Sequence, residues 1–135
     1  MKKIVFLIAL GLTIISCDAN QEETYSYEIN PVSSVVMPTE FAADSITNIT
    51  VKYKRPSSCH IFNKFYYDAE GFNRTIAIEN LKVNQSNCQT DGVTTLEVPL
   101  KFNPIATGIY HFRFWTGADT QGVDQYLEYD VVVDH

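Results

Sequence analysis

No run in this 135-residue chain is apolar for long enough to cross a bilayer as a helix. The uncharged run from Ile4 to Ile15 is about a dozen residues, roughly 18 Å of helix against a hydrocarbon core of about 30 Å. Basic residues are also scarce, with 10 Lys and Arg against 16 Asp and Glu. That balance leaves no basic face of the kind that supplies most nucleic-acid affinity, and it argues equally against docking on anionic lipid head groups. The chain has 3 cysteines and 3 histidines, with no paired Cys-x-x-Cys and no His cluster, so it lacks a zinc-binding pattern. There is no G-x-S-x-G, no H-E-x-x-H, no phosphate-cradling glycine loop and no dinucleotide fingerprint. The sequence therefore gives no ground for an enzyme and calls for no cofactor and no metal.

Helical periodicity is missing after the first 17 residues. In its place are short runs of Val, Ile, Thr, Tyr and Phe, punctuated by turn residues. Tyr25 to Val36 reads as one strand, or as two broken at Asn30-Pro31. Thr47 to Lys54 alternates, with Ile49, Val51 and Tyr53 on one face. Cys59 to Tyr67 and Arg74 to Val83 follow, separated by Asp68-Ala-Glu-Gly71, where the glycine is free to take a positive φ. Thr94 to Phe102 contains Pro99, which donates no ladder hydrogen bond and so confines the strand to an edge or a bulge. Gly108 to Trp115 and Asp124 to Val133 close the chain. In the last of these Leu127, Tyr129, Val131 and Val133 point one way and Glu128, Asp130 and Asp134 the other. About seven strands at this spacing, without repeats or a second domain, predict an all-β sandwich spanning residues 25–135.

The N-terminus has a separate logic. Lys2 and Lys3 precede the short uncharged run, and Ile14-Ile15-Ser16-Cys17 resembles the lipobox of bacterial lipoproteins: an aliphatic residue, a tolerant position, a small residue and a cysteine. The resemblance implies a cleaved signal peptide over residues 1–16 and a diacylglycerol on the Cys17 thiol. Several acyl chains, at about 0.8 kcal/mol per buried CH₂, would hold the protein on a membrane it does not span. Cleavage leaves 119 of the 135 residues, a single domain's worth, and loss of Lys2 and Lys3 moves the net charge from −6 to −8. Asp18 to Thr24, with Glu22 and Glu23, reads as an acidic spacer reaching at most about 24 Å. Acidic residues there resemble lipoprotein sorting signals as well as a plain solvated linker. The expectation is a Gram-negative cell envelope, at the outer membrane, on its periplasmic face or on the cell surface.

With Cys17 lipidated, Cys59 and Cys88 remain. In an exported chain they most economically form one disulfide; a metal site using the adjacent His60 is the rival, and its spacing matches no zinc pattern.

The segment Pro104-Ile-Ala-Thr-Gly108-Ile-Tyr110-His-Phe112-Arg-Phe114 resembles the entry to the penultimate strand of bacterial immunoglobulin-like and fibronectin-like modules, where a turn glycine precedes a tyrosine and then alternating inward aromatics. The resemblance implies an immunoglobulin-like sandwich in which Tyr110 forms a structural tyrosine corner, its hydroxyl bonding to backbone a few residues upstream. Phe112 stands where antibody domains keep their second cysteine, so any bridge must lie elsewhere. As a whole the chain is similar to short envelope lipoproteins with one such domain.

The remaining candidates are aromatic. The chain has 8 Tyr, 8 Phe and 1 Trp, and adjacent Tyr66 and Tyr67 cannot both face inward. Tyr66, Trp115 and Tyr126 are candidate ligand-contact residues for sugar stacking or a protein interface, with core packing the alternative for each. His60, His111 and His135 read as surface histidines. Asp119, Asp124 and Glu128 near Gly117 and Gly122 read as a solvated hairpin more readily than as a calcium loop. The expected role is a non-catalytic, lipid-anchored module that binds or assembles with another envelope protein, with glycan capture as the alternative.

Overall fold

The computed structural model describes residues 24–135, so the signal peptide, the lipidation at Cys17 and the spacer up to residue 23 lie outside the described residues. The described chain forms eight strands and no helix: β1 (Thr24–Asn30), β2 (Ser34–Val36), β3 (Thr47–Lys54), β4 (His60–Glu70), β5 (Asn73–Asn84), β6 (Thr95–Phe102), β7 (Gly108–Ala118) and β8 (Asp124–Val133). They make an all-β sandwich of two packed sheets, one of β1, β4, β5, β7 and β8 and one of β2, β3 and β6.

β5 is the hub of the larger sheet. One side pairs antiparallel with β4 along almost its whole length. The other side is shared: Asn73 to Ile76 run parallel to His111 to Phe114 of β7, while Ile78 to Asn84 pair antiparallel with β1. β7 and β8 then form an antiparallel pair. The chain changes sheets immediately after Pro31, whose missing N–H ends β1. Val32 N–H donates to Trp115 O in the larger sheet at 2.8 Å, and the next residue, Ser33, donates to Lys52 O in the smaller sheet at 2.8 Å. Tyr25 to Val36 is thus two strands in two layers. Pro99 lies in β6, which among the described residues pairs only with β3 at the edge of its sheet, the position proline tolerates.

The core is the space between the sheets. Ile49, Val51 and Tyr53 of β3 and Leu100 and Phe102 of β6 face Ile76 and Ile78 of β5, Tyr110, Phe112 and Phe114 of β7, and Val131 and Val133 of β8. Phe102 is central to it, packing edge-on against Phe41, Tyr110 and Phe112 at centroid distances of 5.9, 5.1 and 4.9 Å. Tyr110 O–H donates to Ala106 O at 2.8 Å, four residues upstream. A Cys59–Cys88 disulfide, with Cα atoms 5.5 Å apart, ties the start of β4 to the loop after β5. β4 runs on through Asp68, Ala69 and Glu70, so the turn is Gly71-Phe72 alone. Gly71 takes φ +60° at the first central position of this two-residue hairpin loop.

Candidate functional site

Because side chains alternate across a strand, the inward core residues of β4, β5, β7 and β8 leave a second set facing away from the sandwich. Cross-strand register arranges that outer set in rungs. Glu70, Asn73, His111 and Asp130 stand side by side on four strands, and Asp68, Thr75, Arg113 and Glu128 form the next rung. Together they border a depression of about 660 Å³ on the outer face, within the size range of small-ligand sites. The His111 ring shares a hydrogen bond with the Asp130 carboxylate. Arg113 Nε donates to Thr75 Oγ1 at 3.1 Å, and its guanidinium lies 4.6 Å from the centroid of the Tyr126 ring.

One step further along the strands, Tyr66 stands opposite Ala77 and Trp115 opposite Tyr126. The three aromatics singled out in the sequence therefore share the outer face of one sheet, with Trp115 and Tyr126 as direct neighbours and Tyr66 on the far side of β5. They sit at the end of the polar depression and are not among the residues that border it. Trp115 Nε1 donates to Asp124 Oδ1 at 3.0 Å, which fixes the indole. Tyr66 is 50% exposed, whereas Tyr126 is half-buried with the Arg113 guanidinium over its ring.

Beyond the aromatics, past a rung where Lys64 lies 3.8 Å from the Glu79 carboxylate, the same face becomes apolar. Ile61 of β4, Leu81 of β5 and Tyr27 of β1 occupy one rung, flanked on β1 by Tyr25 and Ile29. Ile61 is 55%, Tyr27 65% and Ile29 46% exposed, a concentration of apolar surface in one place.

His60 corrects the sequence reading. It is 6% exposed, held beneath the start of β1 rather than on the surface. Its Nδ1 is 2.6 Å from Ser57 Oγ and its Nε2 2.7 Å from Glu28 Oε2. This hydrogen bond from His60 lowers the Glu28 carboxyl below its ordinary range against the opposing cost of desolvation, and Lys82, 3.6 Å away, adds to the effect. Ser57 Oγ also accepts the Cys59 N–H at 3.1 Å, so the serine is committed to holding its own turn. The Ser-His-Glu chain joins β1, β4 and the turn before β4. Sequence could not reveal it, because 32 residues separate Glu28 from His60.

His111 and His135 are exposed, as expected. In the last hairpin, Asp119 Oδ1 accepts the Gln121 and Val123 N–H groups at 2.8 and 2.9 Å, which uses that carboxylate to close the turn. Among the described residues no group of three or more His, Cys, Asp or Glu is placed to hold a metal ion. No protein-family model matches the chain, and comparison with curated proteins and with solved structures yields no significant match to either. Fold and surface together define an all-β sandwich with one polar-to-apolar outer face.

Proposed function

We propose that the protein is a non-catalytic, lipid-anchored envelope protein whose immunoglobulin-like sandwich serves as a binding or assembly module for another protein. The observation that carries this reading is the outer face of the larger sheet, where Tyr27, Ile29 and Ile61 stand exposed around Leu81. Exposed aromatic and aliphatic side chains held on a rigid sheet supply the buried centre that protein interfaces require. Anchorage through Cys17 at the outer membrane, on either face, accords with the lipobox-like sequence. The acidic balance accords with a partner other than nucleic acid. The test is photo-crosslinking of the full-length protein in living cells from Ile61, compared with Lys101 on the opposite sheet. A single envelope protein captured in stoichiometric amount from residue 61 and not from 101 supports the reading; equal or no capture from both sites overturns it.

A second reading is glycan capture, and the observation that favours it is the polar depression with Tyr66, Trp115 and Tyr126 at its end. Sugars take stacking from aromatic rings and hydrogen bonds from planar polar groups, and both occur here within two rungs. Trp115→Ala and Tyr66→Ala should each abolish retention on a polysaccharide column without changing the melting temperature. Retention unchanged in both variants removes these residues from any sugar site.

A further inference from the structure

Among the described residues, most carboxylates carried on a strand have a partner. Glu28 meets His60 and Lys82, Glu79 meets Lys64, Glu97 meets Lys52, Asp124 meets Trp115 and Asp130 meets His111. Asp68 and Glu70 of β4 and Glu128 of β8 are the exceptions, and all three are exposed on the border of the outer depression. Carboxylates gathered on a concave surface without counter-ions concentrate cations there.

The β7–β8 ladder bounds this acidic ground at both ends. Its outward pairs run Ile109 with Val132, His111 with Asp130, Arg113 with Glu128 and Trp115 with Tyr126. The first pair is apolar and open to solvent, at 54% and 57% exposure, and the last is aromatic. Between them, the carboxylates of Asp68, Glu70, Glu128 and Asp130 outnumber the one guanidinium, Arg113, which Thr75 and Tyr126 already hold. The order along the face is thus apolar, acidic, acidic, aromatic, over about 20 Å of strand. On the anchored reading the chain ahead of β1 does not reach this ground. Thr24 lies opposite Asn84, about 30 Å along β5 from Thr75, whereas residues 17–23 extend at most about 24 Å.

We infer that this face docks an extended basic segment of another protein, whose side chains at alternate positions read apolar, basic, basic, apolar. An extended chain presents every second residue to one side at a repeat of about 7 Å, the same repeat as the rungs beneath it. Its two cations then lie over the rung of Glu70 and Asp130 and the rung of Asp68 and Glu128. Its end residues meet Ile109 and Val132 on one side and Trp115 and Tyr126 on the other. Charge steers such a segment to the face and sets its register, and the apolar ends supply the desolvated contact. The inference rests on the module reading and names the chemistry of the partner.

The test uses the full-length protein in detergent and a dye-labelled seven-residue peptide with leucine at both ends, lysine third and fifth, and serine elsewhere. One control peptide exchanges the leucines and lysines, and a second carries glutamate for lysine. Fluorescence anisotropy should show the first peptide binding at least about fivefold more tightly than either control. Glu70→Gln with Glu128→Gln should weaken it about fivefold and Ile109→Ser about threefold, with thermal melts unchanged. Glu40→Gln with Glu97→Gln, equal in charge and away from the face, should change it less than about twofold. Equal binding of the exchanged peptide, equal loss in both neutralised pairs, or no binding at all overturns the inference. If the peptide fails to bind while residue 61 still captures its protein, the inference falls and the module reading stands. If the peptide binds here and residue 61 captures nothing, the basic-segment site is supported and the surface on which the module reading rests is lost. Sugar retention that Trp115→Ala abolishes, without any peptide binding, overturns the inference and assigns the depression to a glycan.

Discussion

Tyr53 and Asn80 are both fully buried, and their side chains bond to each other and to β1. Tyr53 O–H donates to Asn80 Oδ1 at 2.9 Å, and Asn80 Nδ2 donates to Asn30 Oδ1 at 2.6 Å, so one chain of bonds runs from β3 through β5 to β1. Asn80→Ala strands the tyrosine hydroxyl and opens space beside it, and should cost about 2–4 kcal/mol in urea unfolding. Tyr53→Phe leaves the amide oxygen unpaired and should cost about 1–2 kcal/mol, with a clear coupling between the two in a double-mutant cycle. Charge at this scale sets acid sensitivity. Glu28 has its carboxyl lowered from the ordinary 4.5, mainly by the bond from His60. Asp91 is held well below the usual carboxylate range by the N–H groups of Thr94 and Val93, with Arg55 assisting. A carboxylate depressed on folding contributes stability above its unfolded value and loses that contribution as pH falls through the folded one. The melting temperature should therefore drop on acidification below about pH 4.5, and less steeply in Glu28→Gln and in Asp91→Asn than in the parent chain.

At the level of elements, two hairpins and one chain crossing set the outer face. The Gly71-Phe72 turn returns β4 onto β5 and places Phe72 against Tyr110, with ring centroids 4.9 Å apart. Gly108, at the head of β7, has φ +148°, and a β-carbon there would lie 2.6 Å from Phe72 Cε1. The glycine is thus required both by its backbone and by the ring above it. Gly108→Ala should displace Phe72 and destabilise the domain by about 1–3 kcal/mol, visible in denaturant unfolding. Gly71→Ala meets no atom within 4 Å and should cost less, its effect limited to the backbone conformation. The bulge between Trp115 and Gly117 turns β7 away from β5 just where β1 takes over the pairing, and the aromatic row lies at that junction.

For the whole molecule, the disulfide is the covalent tie that long-range contacts supplement. It closes a loop of 29 residues, worth about 3.6 kcal/mol by the chain-entropy relation. Reduction, or the paired change Cys59→Ser with Cys88→Ser, should lower the melting temperature by several degrees or more, and the native protein should show no free thiol at either position. Two labelled thiols would refute the pairing in the cell. The remaining stability comes from a core drawn from both sheets, so Phe112→Ala, at 0% exposure, should cost about 3–5 kcal/mol.

Sequence alone determined the class of the protein. Alternation of apolar and polar residues is a local property, and it located the seven longer strands, the inward set of the last strand and the edge position of the proline-bearing one, because a strand's two faces are written in consecutive residues. The same locality set ±2–3 residue errors at strand ends, since Asp68, Ala69 and Glu70 are held in β4 by β5 rather than by their own preferences. Setting Cys17 aside for lipid left two cysteines, and that was enough to expect the bridge the structure contains. Tertiary structure decided everything that depends on register between distant segments. It put Tyr66 on the same face as Trp115 and Tyr126, ranged four carboxylates around one depression, and buried His60 between Ser57 and Glu28. It also separated β1 from β2 into opposite sheets. Such placements arise from how strands are paired and layered, and no window of sequence contains both partners.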